Sequence, residues 1–191
     1  NLAAGLFNAG EAILNLRKIA TLPKPPGFFD PANPGQLMPL KAPAKVAKGK
    51  KPAKKAKDAK PEFAERGARL DFANTDMAFA GDVMIAGSYH GFNAYRLAAD
   101  GVPQLISSTV CPGGQGDVTI VGKLLIMSVE ERRGRVDCGL QGVDDKVSPE
   151  RFRGLRIFDI SDLTRPRQVG QVQTCRGSHT HSVVEANENR I

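Results

Sequence analysis

From Leu70 onward the apolar residues fall in short runs separated by Gly, Pro, Asp and Ser, a spacing that predicts many short β-strands joined by turns. The runs repeat. Asp76-Met77-Ala78-Phe79-Ala80-Gly81-Asp82-Val83-Met84-Ile85 and Asp117-Val118-Thr119-Ile120-Val121-Gly122-Lys123-Leu124-Leu125-Ile126 share one pattern at an offset of 41 residues. Each reads Asp, a short strand, Gly plus a polar residue, then a second apolar strand, and Gly-Asp or Gly-Lys suits a two-residue hairpin. A second pair, Gly91-Phe92-Asn93-Ala94-Tyr95-Arg96 and Gly154-Leu155-Arg156-Ile157-Phe158-Asp159, is Gly followed by the alternation of a half-buried strand. Pro103 and Pro166 each stand 12 residues after their glycine and lead into further strands at 105–110 and 169–174. Cys111 and Cys175 follow those strands at matching positions. Six residues later the cycle restarts, at Asp117 and at His181, so that His181-Ser182-Val183-Val184 is predicted as the inner strand of a third unit.

A unit of about 41 residues and four short strands has the size of a propeller blade. The predicted fold class is therefore all-β: an incomplete β-propeller of about two and a half blades, each of four antiparallel strands, over residues 70–191. Residues 129–153 interrupt the second unit between its second and third strands with a polar, Arg-rich insertion that holds Cys138. Residues 1–22 combine a helix-like patch with an apolar spacing at 16–21 that matches 169–174, which makes that segment a candidate closing strand. Residues 23–69 read as a Pro- and Lys-rich loop with a disordered insertion, because such a composition has little to bury. The start at Asn1 and the stop just after a strand and turn lead to the expectation of a piece of a longer, exported chain.

Gly154-Leu155-Arg156-Ile157-Phe158-Asp159-Ile160-Ser161-Asp162-Leu163, followed by Pro166 and Val169, closely resembles the LVIVD repeat: Gly, an apolar strand ending in Asp, then Ile/Val-Ser-Asn/Asp and a Pro turn. The first copy is more degenerate, with Arg96-Leu97-Ala98-Ala99-Asp100 in the corresponding stretch. Thr174-Cys175-Arg176-Gly177-Ser178-His179-Thr180-His181 also resembles a string of that family. The resemblance covers residues 70–191 well and 1–30 weakly, and leaves the Lys-rich segment outside. It implies an exported bacterial β-propeller, found in the periplasm, at the cell surface or secreted. It supplies no reaction and no site residues.

Charge changes the picture less than its total implies. The formal net charge is +7, but nine lysines and one aspartate between Lys41 and Lys60 contribute +8, so the remaining residues carry −1. A weak polyanion contact is assigned to that segment alone, beside the plainer reading of a solvated loop insertion. No run of 18 or more apolar residues occurs, so no membrane-spanning helix is expected.

The candidate chemistry is sparse. Asp76, Asp117 and His181, as openings of successive inner strands, are expected near the central channel at one end. Together with His179, which shares a strand face with His181, they form a candidate divalent-metal site, since carboxylate and imidazole suit several metals. The plainer reading is that a repeated Asp hydrogen-bonds the backbone of the neighbouring blade. His90 sits in a turn with no partner in view. Ser178 and Ser182 flank the histidine pair, but the sequence has no Gly-x-Ser-x-Gly elbow. Three cysteines allow one disulfide; Cys138 is expected in it, with Cys111 or Cys175 as the partner. The leading expectation is a binding or scaffold module whose partner is a protein, a cell-surface polymer or a small ligand. The alternative is a propeller metalloenzyme or hydrolase with its Asp/His site at the channel.

Overall fold

A computed structural model describes residues 1–5, 8–28 and 73–187. Its regular structure is eight strands: β1 (Asn74–Ala80), β2 (Val83–Ser88), β3 (Gly91–Leu97), β4 (Pro103–Val110), β5 (Val118–Val121), β6 (Leu124–Val129), β7 (Gly154–Asp159) and β8 (Arg167–Gln173). They form two four-stranded antiparallel sheets in the orders β1-β2-β3-β4 and β5-β6-β7-β8. Both sheets are simple meanders, as the repeat predicts, and no helix occurs among the described residues. The helix-like patch in residues 1–22 therefore forms no helix where it is described.

The repeat is visible in backbone detail. Gly81 and Gly122 take φ of 58° and 59° at the first turn position of the hairpins β1–β2 and β5–β6, where Ala80 faces Val83 and Val121 faces Leu124. Gly91 and Gly154 open β3 and β7 at φ of 140° and 146°. A Cβ there would lie 2.0 Å from the Thr109 carbonyl oxygen in the first sheet and 1.9 Å from that of Val172 in the second. Each sheet also carries a bulge at the same place: Ala94 pairs with Ser107 but Tyr95 with Leu105, and Ile157 pairs with Gly170 but Phe158 with Gln168.

This register corrects the sequence alignment by one residue. Val110 lies opposite Gly91, and Gln173 lies opposite Gly154. The next amide, Cys111 N–H, donates to the His90 carbonyl at 2.9 Å, and its counterpart is Thr174 N–H, which donates to the Arg153 carbonyl at 2.9 Å. Cys111 therefore corresponds to Thr174, and Cys175 is displaced by one position. In extended chain one position reverses the side-chain direction: Cys111 is fully buried, whereas Cys175 is exposed.

The two sheets share one core. β1 packs against β5, and Ile85, Phe92, Ala94, Val118, Leu125, Met127 and Phe158 interdigitate between them. The rings of Phe92 and Phe158 meet edge to face at 5.0 Å between centroids, a geometry worth roughly 1 kcal/mol beyond area burial. Behind β4, the Ser107 hydroxyl donates to the Leu163 carbonyl and ties the first sheet to the turn after β7.

Three further expectations need correction or placing. Residues 16–21 form no strand, and Leu14 and Leu16 are each 83% exposed. A strand requires a partner for its amides and carbonyls, and no described strand lies beside this one. The chain that follows it docks: Pro25 and Phe28 are buried, and the Phe28 ring stands edge-on to His90 at 5.9 Å. Residues 181–184 likewise form no strand and pair with none among the described residues. The reading of the Lys41 to Lys60 segment lies outside the described residues. Among those described, no helix is long and apolar enough to cross a membrane.

Candidate functional site

The repeated aspartates act as latches between units. Asp76, on β1, accepts the Val118 N–H at 3.3 Å; Asp117, just before β5, accepts the His181 N–H at 2.9 Å. These equivalent bonds show that His181 stands where Val118 stands one unit earlier. It is not the third member of the Asp76–Asp117 series, and Thr180 occupies that position.

That placement explains why the His181 side chain is largely enclosed. Val118 is a core residue, 3% exposed, and the His181 side chain is 10% exposed. Its neighbour changes in step. Facing Val118 is Gly87, where an added Cβ would lie 2.4 Å from the Gly116 carbonyl oxygen. At the corresponding position of β6 stands Ser128, whose hydroxyl lies 2.8 Å from His181 Nδ1 and 2.9 Å from the Ser178 hydroxyl. Asp117 Oδ2 is 3.0 Å from the same Nδ1. Nε2 is left buried without a hydrogen-bond partner.

The arrangement lacks a proton relay. A hydroxyl nucleophile needs one imidazole nitrogen while the orienting carboxylate holds the other. Here Ser128 and Asp117 share Nδ1, and Nε2 meets neither. The other candidate ligands point elsewhere: His179 Nδ1 pairs with Glu130 Oε2 at 2.8 Å, and Asp76 is engaged one junction away. Among the described residues no group of three or more His, Cys, Asp and Glu side chains is placed to hold a metal ion.

The insertion between β6 and β7 is built more firmly than its polar sequence implies. Cys138 forms a disulfide with Cys111, at the end of β4. Arg135, 8% exposed, makes a two-pronged ion pair with Asp137, both contacts at 2.8 Å, and a third contact with Glu150 at 2.8 Å. Those hydrogen bonds hold the Asp137 carboxyl well below the usual carboxylate range. Beneath them lies Arg156 of β7, wholly buried. Its guanidinium donates to the carbonyls of Cys111 and Pro112 at 3.3 and 3.2 Å and of Arg135 at 2.5 Å, and it lies over the Phe152 ring at 5.5 Å. Among the described residues no carboxylate bonds to it, and desolvation lowers its pKa to about 10.

Arg156, Arg135, Ser128 and Glu130 were not singled out by sequence reasoning. The one available signal was Arg156, a charged residue within the alternation of β7. Taking the apolar Leu155 and Ile157 as the inward face hides it: the more buried face of β7 is the one that carries Arg156 and Phe158, and Leu155 and Ile157 are half-buried.

Along the outer side of the insertion runs an open cleft of about 810 Å³, lined in part by Arg132, Lys146, Arg151, Arg153, Gln173 and Cys175. Comparison of the chain with protein-family models, curated proteins and solved structures returns no match.

Proposed function

We propose that the chain belongs to an exported β-propeller of the LVIVD-repeat type and serves as a binding module, with the insertion between β6 and β7 as its recognition element. One observation carries this reading: the long irregular segment between β6 and β7 is fixed from three directions, by the Cys111–Cys138 disulfide, the buried Arg156 and the Arg135 ion pairs. A pre-ordered loop on a rigid sheet scaffold is what recognition needs, because less conformational freedom is lost on binding. Two successive four-stranded meanders with packed inner strands support the propeller. The disulfide between the end of β4 and the insertion supports export to an oxidising compartment. The partner is a protein, a cell-surface polymer or a small ligand.

The metalloenzyme or hydrolase reading has one observation in its favour. Asp117 Oδ2 stands 3.0 Å from His181 Nδ1, and Nε2 is buried without a hydrogen-bond partner, the placement by which a carboxylate orients a metal-bound imidazole. The test is a panel of ester, phosphate-ester and glycoside substrates, run with elemental analysis on the wild type and on His181→Val. The binding module predicts no turnover and no stoichiometric metal. Turnover or metal that is lost in His181→Val would replace it with the enzyme.

A further inference from the structure

The insertion carries six acidic and six basic residues over 130–153, yet these charges are segregated. Four acids are engaged away from the cleft: Asp137 and Glu150 by Arg135, Asp144 by Arg133, and Glu130 by His179. Four of the six bases, Arg132, Lys146, Arg151 and Arg153, make no ion pair among the described residues, and all four line the 810 Å³ cleft. No acidic side chain among the described residues lines it.

Local structure aims them. Phe152, 1% exposed, anchors the chain in the core, and its neighbours Arg151 and Arg153 emerge on the opposite side of an extended segment. Arg151 donates one N–H to the Asp145 carbonyl at 2.9 Å, and Arg153 donates one to the Cys175 carbonyl at 3.1 Å. These neutral contacts orient each guanidinium without cancelling its charge and leave further N–H groups for a ligand. Such forks match the planar oxygen pairs of carboxylate and phosphate.

We infer that this cleft binds a small molecule bearing two or more oxyanion groups. The inference rests on the binding-module reading and names its ligand class. The volume lies within the range of small-molecule sites. The ligand spans the pairs Arg151/Arg153 and Arg132/Lys146, so a single monovalent anion gains only part of the interaction.

Cys175 supplies a local reporter, since it lines the cleft and is the free cysteine among the described residues. The rate of its alkylation by N-ethylmaleimide is measured on the full chain with tripolyphosphate, with citrate, and with sodium chloride at matched ionic strength. The expected result is that tripolyphosphate or citrate slows alkylation several-fold and chloride does not. In an Arg132→Gln/Arg151→Gln variant with unchanged hydrogen exchange in the sheets, the concentration for half-protection rises about tenfold or more. Protection by one anion alone identifies phosphate or carboxylate as the group recognised. No protection by either anion, or equal protection in the variant, overturns the inference. Calorimetric binding without protection also overturns it, by assigning the anion to another surface such as the Lys41 to Lys60 segment. Absent protection with no turnover in the substrate panel removes the anion and leaves the module standing; turnover removes the module itself.

Discussion

The two junctions between repeat units use one backbone device and opposite side-chain chemistry. At the first, Asp76 holds the Val118 amide, and Val118 rests on Gly87 in an apolar contact. At the second, Asp117 holds the His181 amide, and His181 meets Ser128 and Ser178 in a hydrogen-bonded group. The shared latch is what the fold requires, since each unit must bury its face against the next. The difference is free to vary, because a Gly/Val pair and a Ser/His pair both fill the position. A repeated residue thus reports architecture, and a departure at an equivalent position is where chemistry specific to this chain resides.

The largest expected effect falls on the unit that carries the insertion. Replacing Cys111 and Cys138 together by Ser opens a loop with a sequence separation of 27 residues, and chain entropy gives a loss of about 3.5 kcal/mol. Hydrogen exchange is expected to rise first in residues 130–153 and around β7, while the β1–β2 hairpin keeps its protection. Equal loosening of both sheets would mean that the staple serves the shared core and not the insertion.

Gly91→Ala and Gly154→Ala test the likeness of the units. Each adds a Cβ against a backbone carbonyl at a φ that favours glycine, at roughly 3 kcal/mol apiece. Urea melts of the two variants are expected to agree. A tolerant Gly154→Ala would show that the insertion lets the second sheet relax where the first cannot.

The latches themselves should differ. Asp76→Ala leaves the Val118 amide without its acceptor and costs about 1 kcal/mol; Asp117→Ala leaves the His181 amide without its acceptor, removes the carboxylate beside Nδ1 as well, and costs about 2 kcal/mol. Equal losses in the same melts would remove the imidazole from the account of the second junction.

Much of this was legible in the chain. The Gly-polar turns, the paired glycines and the prolines locate all eight strands to within about three residues at their ends, because hairpin geometry and the pleat demand those residues at those places. The alignment failed at one spot: matching Cys111 to Cys175 was off by one, since the ladder is set by backbone pairing and two cysteines in similar loops need not be equivalent. That slip placed His181 in the aspartate series and predicted a ring of candidate ligands. The buried Arg156 was hidden for a different reason: its partners are carbonyls of Cys111, Pro112 and Arg135, and carbonyls leave no mark in a sequence.

The smallest expected effect is the most direct test of the comparison. Ser128→Gly with His181→Val rebuilds the second junction in the image of the first. Alone, Ser128→Gly removes a hydrogen-bond partner from a largely enclosed imidazole, and His181→Val leaves the Ser128 hydroxyl with Ser178 only. Each single change is expected to cost about 1 kcal/mol, and the double variant less than the sum by a similar amount, since it removes both polar groups together. The reverse exchange has no such escape. Gly87→Ser places a Cβ 2.4 Å from the Gly116 carbonyl, so Val118→His cannot rescue it. Additive losses at Ser128 and His181 would mean that the polar group is held by its own surroundings and that the two junctions are not interchangeable solutions. Coupling there, with none between Gly87 and Val118, would show that the second junction retains the tolerance the first has closed off.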